Sequence, residues 1–160
     1  MSWFVLHLRP RSEKKVAQAC EANGLEYFLP LRAETKIYQR RKVTVKKPLF
    51  PGYIFVAFEP QQRETLLRTN HVVRILTPAS EQFLLFQLDQ IRKALEVDET
   101  LGTASAITKG RQVRIKGGPF MGVEGVVVVS DKPGVVRLNV EMIGQAVTVE
   151  VDRDYIEVTD

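Results

Sequence analysis

The sequence is poor in the residues that usually carry catalysis or bind metals. It has one cysteine, Cys20, and two histidines, His7 and His71, among 160 residues. A single cysteine excludes an internal disulfide and a cysteine-based metal cluster, and the two distant histidines form no recognisable ligand pair. No Gly-x-Ser-x-Gly nucleophile turn and no Gly-Lys-Ser/Thr phosphate loop occur. We therefore predict a protein that is not an enzyme and that uses no metal or cofactor.

Long apolar runs are also missing. No stretch approaches the roughly 20 apolar residues needed to span a bilayer. The apolar segment SWFVLHL meets Arg9 and Pro10 too soon for a secretory signal. A lone cysteine suits a reducing compartment. These absences predict a soluble, cytoplasmic protein without a membrane partner, and we expect a monomer.

Charge is distributed unevenly along the chain. Residues 1–96 contain 16 basic and 9 acidic residues, a balance of +7, whereas residues 109–160 contain 7 basic and 8 acidic residues, a balance of −1. Between them, residues 97–108 (VDETLGTASAIT) carry two acids and lose hydrophobic periodicity, as a linker does. We predict two modules, of which only the first needs to meet a polyanion.

The two modules differ in their predicted secondary structure. Hydrophobic patterns in residues 1–96 predict the order β-α-β-β-β-α-β-α, with helices after Ser12, Pro60 and Ser80. This order indicates an antiparallel or mixed sheet with flanking helices. After residue 109 short β-branched runs are broken by glycines, which predicts a small all-β barrel. The fold class is therefore α+β.

Residues 53–58 (YIFVAF) form a strand pattern that is apolar on both faces. Alternation puts Tyr53 and Phe55 on one face and Ile54, Val56 and Phe58 on the other. A half-buried strand normally shows a polar face to water. Either both faces are buried within the first module, which is the more frequent case for this pattern, or one face binds a partner.

A basic segment precedes this strand. Between Glu34 and Glu59 the chain has no acidic residue but has six cations: Lys36, Arg40, Arg41, Lys42, Lys46 and Lys47. The segment reads as a hairpin with its tip at residues 39–41. Charged edges can simply prevent unwanted strand pairing, but so one-sided a run more often binds phosphate. Four cations near the first helix could extend this surface: Arg9, Arg11, Lys14 and Lys15.

Two segments resemble motifs of the NusG family. Residues 48–56 (PLFPGYIFV) resemble the signature of the NusG N-terminal domain, and residues 109–125 (KGRQVRIKGGPFMGVEG) resemble the KOW motif of its C-terminal domain. The segments SWFVLHL and VVRIL occur where that N-terminal domain has its equivalents. The resemblance implies a NusG N-terminal-like domain at residues 1–96, a linker at 97–108 and an SH3-like KOW barrel at 109–160.

The resemblance also implies a function. NusG-like proteins are transcription elongation and antitermination factors that bind bacterial RNA polymerase at the β′ clamp helices and suppress pausing or termination. The implied polymerase-binding residues are Phe50, Tyr53, Phe55, Leu85, Leu88 and His7, and the rings of Phe50, Tyr53 and Phe55 are expected to lie open to solvent in the free protein. The implied contacts with upstream DNA and the non-template strand are Arg9, Arg11, Lys14, Lys15, Arg40, Arg41 and Lys42. Phe120 is a candidate contact for Rho or a small-subunit ribosomal protein, or else a loop aromatic that closes one end of the barrel.

Further features refine this expectation. The segment LHLRPRSEKKVAQAC and the PLFP spelling are similar to specialised paralogues that resemble RfaH. Branched residues across 126–129 and 147–151 are poor helix formers, so we predict a stable barrel with no helical alternative. The alternative function is that of a KOW-type RNA- or ribosome-binding protein. That alternative would place basic residues after residue 109, where the balance is −1.

Overall fold

The computed structural model describes residues 1–104, 109–128 and 131–160. Residues 105–108 of the predicted linker and residues 129–130 of the predicted β-rich segment lie outside the described residues. The helices are α1 (Glu13–Ala22), α2 (Arg63–Leu67) and α3 (Glu81–Val97). The strands are β1 (Ser2–Leu8), β2 (Glu26–Phe28), β3 (Leu31–Tyr38), β4 (Arg41–Pro48), β5 (Tyr53–Phe58), β6 (Val72–Leu76), β7 (Thr103–Ala104), β8 (Arg111–Ile115), β9 (Glu124–Val127), β10 (Val135–Val140), β11 (Gln145–Glu150) and β12 (Ile156–Val158). None of the described helices is both long and apolar enough to cross a membrane.

Contacts divide the chain into two compact units. Unit 1 contains Met1–Leu31 and Pro48–Glu81, and unit 2 contains Arg32–Lys47 and Gln82–Asp160. These units differ from the domains predicted from sequence, whose boundaries stay a prediction. Within the predicted linker, β7 pairs antiparallel with β11 of unit 2.

Unit 1 is built on a four-stranded antiparallel sheet of order β2-β5-β1-β6. Strand β5 pairs with β1 from Ser2 opposite Phe58 to His7 opposite Tyr53, and its other edge pairs with β2. It is therefore a central strand. Its predicted bounds of 53–58 are confirmed.

Helix α1 packs on one face of this sheet. Its buried apolar residues Val16, Ala17 and Cys20 join the core made by alternate residues of β1 and β5. The helix ends at Ala22 with Asn23 as its C-cap, and Gly24 follows with a φ of +67°, which glycine adopts without strain. Ser12 precedes the helix, as predicted, but makes no side-chain capping bond. Its hydroxyl instead lies 3.2 Å from Nδ1 of His71.

Unit 2 contains a six-stranded sheet of order β12-β8-β9-β10-β11-β7. Two buried glutamines of α3 reach backbone groups of this sheet region. The Gln90 side-chain oxygen accepts a hydrogen bond from the Glu124 N–H at 2.8 Å, and that of Gln87 accepts one from the Glu141 N–H at 3.1 Å. A helix face that reads as polar in the sequence is therefore buried because its amides satisfy backbone donors.

Strands β3 and β4 form a separate two-stranded hairpin in unit 2. Gln39 and Arg40, with φ values of +48° and +65°, make a two-residue turn within the tip predicted at residues 39–41, and Arg41 already belongs to β4. The base of the hairpin is held by the residues after α3. The Ala33 N–H donates to the Glu99 carbonyl at 2.8 Å, and Arg32 Nε donates to the Thr100 carbonyl at 3.1 Å.

The α+β class is confirmed, with a helix-flanked sheet near the N-terminus and an all-β region near the C-terminus. The described part of residues 123–150 consists of strands, turns and one short 3-10 turn, as the branched residues predict. The helix predicted after Pro60 is shorter than expected. It begins as a 3-10 turn at Pro60–Gln62 and continues as α2 only to Leu67.

Candidate interaction surfaces

A pair of rings lies where β1 and β5 face each other near the start of β5. His7 and Tyr53 are cross-strand partners, and their rings stack with centroids 5.2 Å apart and an interplanar angle of 24°. Both side chains are half-buried. The structure thus brings together two of the six residues expected to bind polymerase. Aromatic side chains that face each other on neighbouring strands stabilise the sheet.

The other two rings of this group do not lie open as expected. Phe50 is 1% exposed and Phe55 is 0% exposed, so the expectation of a solvent-exposed ring face is wrong for both. Phe55 lies in the central strand β5, opposite Val5 of β1 and Phe28 of β2, and its ring centroid lies 6.2 Å from that of Phe28. Only Tyr53, at the end of the strand, keeps partial exposure.

The turn before β5 is fixed by a buried carboxylate that sequence reasoning missed. Glu13, 6% exposed, accepts a hydrogen bond from the Gly52 N–H at 3.0 Å. Gly52 has a φ of +88°, and its carbonyl accepts the Leu8 N–H at 2.8 Å. These bonds place the start of β5, and so the Tyr53 ring, relative to β1. The only sequence signal for the Glu13 carboxylate is that an acidic residue occupies the first turn of α1.

Leu85 and Leu88, the remaining apolar residues of this group, lie on α3 in unit 2. Leu88 is buried with 4% exposure, whereas Leu85 is half-buried. Of the two, Leu85 offers surface to a partner.

The predicted nucleic-acid-binding residues lie on two surfaces, one in each unit. All four cations of the α1 surface are exposed: Arg9, Arg11, Lys14 and Lys15. All three cations of the hairpin tip are exposed as well: Arg40, Arg41 and Lys42. At the hairpin base, two lysines form ion pairs, Lys47 with Glu34 at 3.1 Å and Lys46 with Glu99 at 3.5 Å. Positive charge is therefore least compensated at the tip.

Phe120 lies in the loop between β8 and β9 and is half-buried. It borders a groove of about 480 Å³ whose lining also includes two carboxylates, Asp98 and Glu150. Two hydrogen bonds from Thr100 hold the pKa of Asp98 below its ordinary value, which favours its charged form. An aromatic ring beside two carboxylates suits a cationic side chain.

Similarity to known proteins agrees with the motifs. Residues 1–95 match the family model described as "Transcription termination factor nusG". The chain is 27% identical to the transcription termination/antitermination protein NusG of Thermus thermophilus, with 95% of each chain covered. It is 29% identical to the NusG of Staphylococcus aureus strain Mu50, with 97% of this chain and 94% of the relative covered. A solved structure on domain interaction in Thermotoga maritima NusG is 20% identical, covers 99% of this chain and 97% of its own, and gives a TM-score of 0.49. The specialised role expected from the RfaH-like segments stays a prediction.

Proposed function

The chain belongs to the NusG family of transcription termination and antitermination factors, and from this premise we propose that it docks on bacterial RNA polymerase through the end of β5. Members of this family are transcription factors, and the chain is accordingly not an enzyme. The proposed binding site on the polymerase is the coiled-coil clamp helices of the β′ subunit. The observation that carries the proposal is the stacked, half-buried pair of His7 and Tyr53.

Burial divides the proposed polymerase-binding residues into two roles. His7 and Tyr53 keep exposed ring surface and can touch a partner directly, as can Leu85 on its own unit. Phe50 and Phe55 are buried, so they contribute to packing and offer no ring surface to a partner. Aromatic residues that lose their remaining water contact on binding commonly dominate interface energies, at about 2 kcal/mol or more each.

The two basic surfaces provide the proposed contacts with nucleic acid. The α1 surface and the hairpin tip both carry exposed cations that can pair with phosphates of upstream DNA and of the non-template strand. Phosphate contacts give affinity that falls with salt and carry no base-sequence information. These surfaces would therefore strengthen binding to the transcribing complex on any DNA sequence.

The proposed mechanism is differential binding. A ligand shifts a conformational equilibrium only by the difference in its affinity for the two states. The factor binds the elongating polymerase more tightly than the paused one, and thereby suppresses pausing or termination without making or breaking a bond. In unit 2, Phe120 and its groove are the proposed contact for Rho or for a small-subunit ribosomal protein.

Co-precipitation with core RNA polymerase tests the docking surface. Tyr53→Asp places a charge on the stacked pair, and we expect it to abolish detectable binding. Val73→Asp is the matched control, because Val73 is 52% exposed on β6 of the same sheet and receives the same change. Circular dichroism establishes that both variants fold. Equal binding of Tyr53→Asp and wild type would show that the docking surface is misassigned.

A further inference from the structure

The tip of the β3–β4 hairpin exposes apolar side chains that have no core to join. All ten residues from Thr35 to Thr44 are exposed. Among them Ile37 is 77% exposed, Tyr38 is 67% exposed and Val43 is 41% exposed. Because side chains alternate between faces, Tyr38 and Val43 lie on one face of the hairpin and Ile37 lies on the other. A two-stranded hairpin is only marginally stable by itself.

The hairpin register places Tyr38 among cations. The two-residue turn puts Tyr38 opposite Arg41, and the hydroxyls of Thr35 and Thr44 lie 3.4 Å apart as that register requires. Since side chains alternate between faces, Lys36 and Val43 share the face of Tyr38. The ring is thus an exposed flat apolar surface bordered by two positive charges.

These charges are not neutralised by the protein at the tip. Within the described part of the chain, the side chains of Arg40, Arg41 and Lys42 make no ion pair and no hydrogen bond. Nearer the base, a hydrogen bond with Lys47, together with repulsion between the two ammonium groups, lowers the pKa of Lys36. The three cations of the tip are therefore available to contact the phosphates of a nucleic acid.

We propose that Tyr38 stacks on an unpaired base of a single-stranded nucleic acid while Arg40 and Arg41 contact the phosphates on either side. This inference rests on the proposed function and deepens it, by naming Tyr38 as the hairpin residue that recognises an unpaired base of the bound strand. Grooves for single strands combine positive charge with aromatic rings, since every base has a face that can stack. A duplex offers the same phosphates but keeps its bases stacked within the helix. It would therefore contact the two arginines, but no base would stack on the Tyr38 ring.

The test measures binding of the full chain to a dye-labelled single-stranded oligodeoxynucleotide and to the corresponding duplex by fluorescence anisotropy. Tyr38→Ala is expected to weaken single-strand binding roughly tenfold or more, the loss that follows removal of one stacked base. Its duplex affinity and its salt dependence should remain those of wild type. Arg41→Gln should weaken the binding of both the single strand and the duplex. It should also reduce the magnitude of the slope of log affinity against log salt concentration by about 0.7–0.9.

Two further variants separate stacking from general apolarity. Tyr38→Phe keeps the ring and should bind the single strand as wild type does, whereas Tyr38→Leu keeps an apolar side chain and should bind like Tyr38→Ala. The proposal would be overturned if Tyr38→Leu bound the single strand as tightly as wild type does. It would equally be overturned if Tyr38→Ala weakened duplex binding as much as single-strand binding. It would also be overturned if the wild-type chain bound vesicles of anionic phospholipid and not the oligonucleotide.

The outcome is separable from that of the proposed function. Tyr38 is not among the polymerase-docking residues, so Tyr38→Ala should co-precipitate with core RNA polymerase as wild type does. A Tyr38→Ala variant that binds polymerase and also keeps full single-strand affinity overturns the stacking inference alone. Full polymerase binding by Tyr53→Asp overturns the docking proposal alone.

Discussion

Cys20 is a buried thiol whose environment shifts its protonation. It lies on the inner side of α1 with 0% exposure, among apolar residues of the unit 1 core. Burial, with a smaller effect from the Glu21 carboxylate, raises the pKa of the thiol from 9.0 to about 11. The side chain is therefore a core residue, and its thiolate is unavailable as a nucleophile near neutral pH.

This shift predicts a loss of stability in alkali. Because the folded pKa is raised, the contribution is fully present below pH 9.0 and is lost as the pH rises towards about 11. A shift of this size corresponds to a contribution on the order of 2 kcal/mol to the free energy of unfolding. Urea denaturation under reducing conditions, repeated across this pH range, measures it.

The control is Cys20→Ala, which creates a cavity but has no group to titrate. The variant is less stable than wild type at pH 7, and we expect the gap to narrow as the pH rises towards 11. Tyrosines and lysines titrate in both proteins and cancel in the difference. Parallel curves for the two proteins would contradict the assigned pKa.

Exposure of individual residues was the property least accessible to sequence reasoning. Alternation in residues 53–58 correctly predicts the strand and shows that neither face is polar. It does not show what covers each face, because that depends on which other elements pack on the sheet. The sealed ring of Phe55 and the buried carboxylate of Glu13 both follow from such long-range neighbours.

At the scale of elements, local signals were sufficient where a single residue dictates the backbone. Helix α1 is followed by Gly24, whose φ of +67° glycine adopts without strain. The hairpin turn lies within the predicted tip of residues 39–41, although Gln39 and Arg40 are not residue types that favour a positive φ. The strands of unit 2 likewise follow from branched runs between glycines. The burial of Gln87 and Gln90 had no such signal, because their backbone partners lie in distant strands.

Gly125 illustrates a glycine that a strand requires for close packing. It lies in β9, and a methyl group there would come within 2.6 Å of the Arg137 carbonyl oxygen and 2.7 Å of Val136 Cγ1. A backbone oxygen cannot move aside as a flexible side chain can. We expect Gly125→Ala to lower the free energy of unfolding by about 1–3 kcal/mol, as overpacking does, measured by urea denaturation.

Gly102→Ala is the matched control for this change. No atom lies within 4 Å of a methyl group at Gly102, and its backbone is not in the left-handed region. The control should stay within about 0.5 kcal/mol of wild type. If the two variants were equally stable, the close approach at β9 would not limit packing.

At the scale of the whole chain, each of the two contact-defined units consists of two segments that are not adjacent in sequence. The hairpin of residues 32–47 belongs to unit 2 because Ala33, Arg32 and Lys46 bond to the segment after α3. Hydrophobic patterns correctly predict a helix-flanked sheet near the N-terminus and an all-β region near the C-terminus, whereas the domain boundaries drawn from them stay a prediction. These patterns cannot reveal which distant segments the hairpin and α3 contact, since each such contact depends on a few hydrogen bonds between residues far apart in sequence.

The bonds from α3 to the sheet region of unit 2 provide the last prediction. Gln90 and Gln87 are the side-chain acceptors for the Glu124 and Glu141 amides, at 2.8 Å and 3.1 Å. Replacing both glutamines by alanine removes the acceptors while keeping a strong helix former. Each hydrogen bond contributes about 0.5–1.5 kcal/mol, so these two amides should exchange with solvent roughly 2–10 times faster.

Gln82→Ala, an exposed change on the same helix, is the control. Native-state hydrogen exchange followed by nuclear magnetic resonance distinguishes the outcomes. Faster exchange confined to Glu124, Glu141 and their neighbours would mean that the hydrogen bonds of Gln87 and Gln90 hold α3 against the sheet region. Unchanged protection, or uniform acceleration throughout unit 2, would mean that apolar packing alone holds the helix in place.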